Sequence, residues 1–224
     1  MQYFRRFPSS ARVIDLSQLI SESMAVYPGD PRPRTRLLTT IEGAGASTTE
    51  LILGTHTGTH VDAPCHVLPE GRSVDEFPLE TFYGSAWVYD LTHKPRGSQI
   101  SSSDLNGDSI PLRKGEIALL YTGSSGSNAG FTNTGGYTYL HKSAADWFVE
   151  KKVKAVGIDS ISVDPFGSDT YEVHRTLFRN DVVVIENLSS NLRFLVGKNV
   201  LFFCVPLKLK NVEASPVRAF AFWS

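Results

Sequence analysis

His56-Thr57-Gly58-Thr59-His60-Val61-Asp62-Ala63-Pro64-Cys65-His66 is the stretch on which the reading of this chain turns: eleven residues holding three of the protein's six histidines and one carboxylate. Imidazole nitrogens and carboxylate oxygens are donors that borderline divalent cations accept, and the number a protein supplies decides whether a coordination position stays open to water. One histidine alone is usually an ordinary interior or surface residue. It is the density of donors that argues for a cation here. Asp62 adds to the case, because a carboxylate set between apolar Val61 and Ala63 is costly to bury without a partner.

The spacing restricts the backbone. On a helix, at about 100° per residue, His56 and His60 share a face while Asp62 turns some 200° away from His60. On a flat strand, positions 56, 58, 60 and 62 face one side, but a rise of about 3.3 Å per residue leaves His56 and His60 roughly 13 Å apart, near the limit for sharing one ion. Gly58 between them permits a bulge or tight turn. The expectation is an irregular ligand loop leaving a strand, with Pro64 stopping further pairing. Three readings of His66 stay open: a ligand, a partner of a ligand, or the group that moves the proton of an activated water.

Outward from this stretch, short segments rich in β-branched or apolar residues read as strands at Val13 to Leu16, Thr35 to Ile41, Thr48 to Leu53, Ser85 to Leu91 and Glu116 to Tyr121. From Tyr139 the period changes. Leu140, Ala144, Trp147 and Phe148 recur at helical spacing, with Ser143 and Asp146 offering a capping box. Strand Val153 to Ile158 follows, then helix-like Tyr171 to Phe178, strand Val182 to Ile185, helix-like Leu188 to Val196 and strand Val200 to Val205. Such alternation predicts helices packed on a mixed sheet, an α/β chain read as one domain over residues 1–224. Glu186 closes the run Val182-Val183-Val184-Ile185, so its carboxylate emerges at a strand end, where open α/β sheets bind ligands.

The residues 56–66 resemble the HxGTHxDxPxH signature of the metal-dependent cyclase family, which includes bacterial-type kynurenine formamidases (arylformamidases) and isatin hydrolases. All seven fixed positions are filled: His56, Gly58, Thr59, His60, Asp62, Pro64 and His66. The resemblance extends through Ile14-Asp15-Leu16-Ser17, Val26 to Pro31, Val156 to Ser160, Ser162 to Pro165, Pro206-Leu207-Lys208 and Ser215 to Ala219. It implies a swivelling β/β/α-type fold and a site of one or two divalent cations; zinc, manganese and iron all accept such donors, with zinc expected first and manganese next. His56, His60 and Asp62 would hold one cation. His174 and Glu186, twelve positions apart as in the formamidases, would complete a second site that Asp62 bridges. It further implies a homo-oligomer that hydrolyses a small aromatic amide, N-formylkynurenine first, with an activated water whose proton His66 carries. Tyr27 stands where many formamidase-like sequences carry tryptophan, which makes it the expected wall for a flat substrate. Opening of a cyclic amide such as isatin, and a non-catalytic metal-binding protein of the same fold, are the competing readings.

Composition narrows the field in other ways. A net charge of −1 and a pI near 6.6 lack the clustered basic surface of a nucleic-acid binder. No run approaches the roughly 20 apolar residues that span a bilayer, and Pro8, Ser9 and Ser10 interrupt where a signal peptide needs its apolar core, so a soluble cytoplasmic protein is expected. Two cysteines cannot build a disulfide framework, and Cys65 reads as a small buried thiol. The Gly/Ser-rich run Gly123 to Gly130 lacks the lysine of a phosphate loop and reads as a surface or active-site loop. Ser98 to Asp104 reads as a loop with a helix cap, and no Gly-x-Ser-x-Gly elbow supports a serine hydrolase. Phe220, Phe222 and Trp223 have either a core or a subunit interface to cover.

Overall fold

The computed structural model describes residues 12–106, 110–125 and 136–223. Its strands are β1 (Arg12–Asp15), β2 (Arg34–Thr39), β3 (Thr48–Ile52), β4 (His60–Asp62), β5 (Tyr83–Asp90), β6 (Gln99–Ile100), β7 (Ile117–Tyr121), β8 (Tyr139–Leu140), β9 (Ala155–Ile158), β10 (Val183–Glu186), β11 (Asn199–Phe203), β12 (Ala214–Pro216) and β13 (Phe220–Trp223). The helices are a single turn α1 (Ile41–Ala44), α2 (Ser102–Asn106), α3 (Lys142–Lys151) and α4 (Glu172–Phe178). Nine strands form one mixed sheet in the order β1-β13-β11-β5-β7-β9-β10-β4-β12. Its centre, β5, β7, β9 and β10, is parallel, and the flanking pairs are antiparallel.

Strands β7, β9 and β10 are nearly continuous apolar runs because both faces of the sheet are covered there. Ile117, Leu119, Val183 and Ile185 enter one core together with Val61, Phe77 and Phe202. Ala118, Leu120, Val156 and Val184 enter the other, beneath Ala144, Phe148, Leu177 and Phe178 of α3 and α4. The α/β fold with helices on a mixed sheet is thus as the residue pattern predicts, and most strands agree with their expected spans to within two residues.

Several differences have physical causes. α3 begins after His141, whose ring accepts from Ser143 N, so Ser143 lies inside the helix and forms no capping box with Asp146. Tyr139 and Leu140, read as helical, pair with Gln99 and Ile100 instead. β2 stops at Thr39 because the Thr40 hydroxyl caps the turn that follows. Leu188 to Val196 contains only a 3-10 turn, Ser190–Leu195. Ser98 to Asp104, read as a loop with a helix cap, holds the cap, the Ser101 amide and hydroxyl both donating to Asp104, but Gln99–Ile100 within it is strand β6. Phe220 and Phe222 are half-buried strand residues of the main sheet, with Phe220 stacked on Phe203. Of the Gly/Ser-rich run, Gly123 and Ser125 donate to the buried Asp159, and residues 126–130 lie outside the described residues. Among the described residues no helix is long and apolar enough to cross a membrane.

Candidate metal centre

β4 is where the period of two places donors. His60 and Asp62 point to one face, while Val61 between them enters the core on the opposite face. β4 pairs antiparallel with β10, and its register sets His60 against Glu186 and Asp62 against Val184. Partners in register share a face, so the carboxylate at the end of β10 joins those donors on the side covered by α4. From α4 His174 reaches the same point, with Val173, Leu177 and Phe178 buried around it.

The ligand loop does leave strand β3, but it then enters β4, so the chain passes from strand to loop to strand. Gly58 carries a φ of +67°, a left-handed conformation that glycine adopts without cost, and a Cβ there would stand 3.1 Å from Ile20. Thr59 ties the loop down by donating to Asn187 O and accepting from Gln18 N. Pro64 opens the 3-10 turn Pro64–His66 that carries His66. Gly71 packs on that turn so closely that a Cβ would lie 2.4 Å from Pro64 C.

The donors converge. One Asp62 oxygen is 3.0 Å from His56 Nδ1 and 3.3 Å from His60 Nε2, and the other is 3.6 Å from His174 Nε2. Glu186 spans the same gap, with one oxygen 3.5 Å from His60 Nε2 and the other 3.3 Å from His174 Nε2. His60 Nε2, His174 Nε2 and both Asp62 oxygens are buried, yet none has an aligned hydrogen-bond partner. Burying polar atoms so is costly unless something satisfies them, and bound divalent cations would do so. The remaining nitrogens are held: His60 Nδ1 by Gly58 O at 2.8 Å and His174 Nδ1 by Asp164 at 2.6 Å. In the neutral imidazole, the form that binds a cation, each contact keeps the proton on Nδ1 and leaves the Nε2 lone pair facing inward. Among the described residues two overlapping groups have the closeness a metal requires, His60 with Asp62 and Glu186, and His56 with Asp62 and His66.

Electrostatics agree. Burial opposes charge on His60 and His174, but the surrounding carboxylates overcome it and raise both pKa values well above the ordinary histidine range. Burial likewise opposes ionisation of Asp62 and Glu186, yet their histidine neighbours hold Asp62 well below the usual carboxylate range and bring Glu186 to about 2. The cluster therefore attracts positive charge, as protons or as a cation. In cation-free protein, stability contributed by His60 and His174 is complete below about 6.5 and is lost as pH rises through their raised native values. The Asp62 and Glu186 contribution is lost only in acid, as pH falls through their depressed values. Chelator-treated protein is expected to melt at a lower temperature near pH 9 than near pH 6, followed by circular dichroism; a melting temperature that climbs across that interval contradicts this electrostatic account.

Above the donors lies a cleft of about 110 Å³, with Tyr27, His66, Ser162 and Tyr171 in its walls. The Tyr27 hydroxyl accepts from Gly167 N, and its ring leans on Phe166. The His66 ring centroid is 4.5 Å from that of His56 and 5.5 Å from that of His174. Burial lowers the pKa of His66, so it is a neutral base near pH 7. Tyr171, Asp164 and Glu213 join the site without having stood out as site residues in the sequence. Tyr171 precedes α4 with a φ of +47°, an uncommon conformation for an aromatic residue, and its ring faces His66 and His174. Asp164, within the quoted Ser162 to Pro165 motif, caps α4 and holds His174 at once.

The model of the Cyclase family matches residues 14–165 of this chain. A kynurenine formamidase of Geobacillus thermodenitrificans is 32% identical over 208 residues, covering 92% of this chain and 95% of that protein. The structure of a predicted metal-dependent hydrolase from Bacillus stearothermophilus superposes with a TM-score of 0.79 at 28% identity, covering 96% of this chain and 99% of the other. Isatin hydrolase A from Labrenzia aggregata, bound to benzyl benzoate, gives a TM-score of 0.84 at 22% identity over 95% and 93% of the two chains, a likeness of fold. With the family matched across more than half its length and relatives aligned nearly end to end, this chain belongs to the cyclase family.

Proposed function

We propose that this protein is a divalent-cation-dependent hydrolase of a carbon–nitrogen bond, acting on N-formylkynurenine or a closely similar arylformamide to release an arylamine and formate. The observation that carries this reading is the set of buried, unpartnered donors of His60, Asp62 and His174 gathered at the floor of the cleft. The kynurenine formamidase aligned over nearly its whole length supports the substrate. In this reading His56, His60 and Asp62 hold one cation, and Asp62, His174 and Glu186 hold a second. Nitrogen and carboxylate donors suit zinc, with manganese as the alternative. When bound, such a cation supplies Lewis acidity, polarising a carbonyl and lowering the pKa of water from 15.7 toward about 7.

The chain's own groups do the rest. His66, neutral and at the edge of the donor cluster, takes the proton of the attacking water and returns it to the departing nitrogen. Without that proton the amine is too basic to leave. Tyr27 and Tyr171 offer aromatic faces to the aryl ring of the substrate. The protein works as a homo-oligomer: strands β2 and β3 leave Leu37 and Leu51, on one face of their ribbon, more than half exposed, an apolar surface that a second subunit would cover.

Purified protein should hydrolyse N-formylkynurenine, lose that activity on chelation and regain it with Zn2+ or Mn2+. Faster turnover of isatin would shift the reading to a cyclic-amide hydrolase. Metal-replete protein that turns over neither substrate would rule out an amide hydrolase and leave a metal-binding protein.

A further inference from the structure

His56 differs from the other two imidazoles that face Asp62. Its side chain is 20% exposed against 2% for His60 and His174, and it stands in a loop instead of on a strand or helix. Its orientation therefore needs an anchor. The other two have one each, a backbone carbonyl for His60 and the Asp164 carboxylate for His174, on the nitrogen that points away from Asp62. On His56 that nitrogen is Nε2, and the group facing it is the Glu213 carboxylate, 3.6 Å away.

Glu213 is mounted firmly enough to serve. Its backbone carbonyl accepts from Ala63 N, the amide directly after Asp62, at 2.8 Å. The next residue, Ala214, is paired in register with Asp62. Its side chain accepts a hydrogen bond from Thr55 Oγ1 at 2.5 Å, which ties it to the residue before His56. Glu213 thus holds both ends of the span that carries His56, His60 and Asp62. We infer that Glu213 is the positioning residue of His56, presenting Nδ1 to the cation site and completing a pattern in which every inward imidazole has a fixed acceptor behind it. This rests on the metal reading proposed above.

The pattern makes Glu213 matter to cation affinity more than to substrate affinity, since it acts on a donor and not on the aryl cleft. Groups behind a ligand histidine typically change metal affinity by about 10- to 100-fold. Cation-free wild type, Glu213→Ala, Glu213→Gln and Thr55→Val are to be titrated with Zn2+ against a chromophoric chelator, with melting of each cation-free protein in parallel. The expected result is a weakening of one bound equivalent by about 10- to 100-fold in Glu213→Ala. Glu213→Gln, which keeps an acceptor without its charge, and Thr55→Val, which frees the carboxylate, should weaken the same equivalent less, while melting of the cation-free proteins stays at the wild-type value. Wild-type affinity in Glu213→Ala overturns the inference, as does a loss of all cation binding that tracks a lowered melting temperature, which would make Glu213 merely structural. Failure of the wild type itself to take up Zn2+ is a different result, because it removes the metal reading along with this one.

Discussion

His66→Ala should lower the turnover number on an arylformamide by about 10²- to 10⁴-fold, the usual worth of a placed general acid–base group, while the protein keeps its bound cation. Position and charge together suit His66 to this role. The 3-10 turn beginning at Pro64 sets the ring beside His56 and His174 and next to the cleft. Burial holds its pKa below the ordinary value, so near pH 7 it is free to accept a proton. KM should change far less than kcat, since the ring moves a proton and does not grip the substrate. Metal content of the variant is the deciding measurement. Stoichiometric loss of a cation would make His66 a ligand with His56 and Asp62, a grouping their closeness also allows.

Asp62→Asn is expected to do more: loss of cation uptake by at least about 100-fold and activity at background, with the fold retained. Asp62 is 1% exposed, and its two oxygens face His56 and His60 on one side and His174 on the other. Asparagine fills the same volume, so the β4 to β10 pairing has no steric reason to fail. It removes the charge, however, and turns an amide NH2 toward nitrogens or a cation that need an acceptor. Elemental analysis and circular dichroism of the purified variant test both halves. An Asp62→Asn protein that stays folded and holds its full complement of cation would show that the centre does not depend on this carboxylate, and the proposed arrangement would fall.

How much of this was legible in the sequence depended on distance along the chain. The strands β7, β9 and β10 are nearly continuous apolar runs bounded by polar turns, and local pattern finds them. β4 has only three residues and reads as loop, because its identity as a strand comes from β10 and β12 on either side. α3 starts later than its spacing predicts because the pairing of Tyr139 and Leu140 with Gln99 and Ile100, a non-local contact, outweighs their helical periodicity. Tyr171 gave no signal, since a left-handed residue ahead of a helix leaves no mark in composition. Glu213 gave none either: it lies in a polar stretch after Leu209, and only the register of β12 brings it to His56.

The residues by themselves determined the kind of chemistry on offer, because donor type and a spacing of two between His60 and Asp62 are local facts, and local geometry follows from a few backbone angles. Tertiary structure alone decided that His174 and Glu186, more than a hundred positions downstream, meet Asp62, and which nitrogen of each imidazole turns inward. Those outcomes depend on sheet register and helix packing, which are set by side chains burying apolar surface against distant partners, so no stretch of eleven residues can contain them.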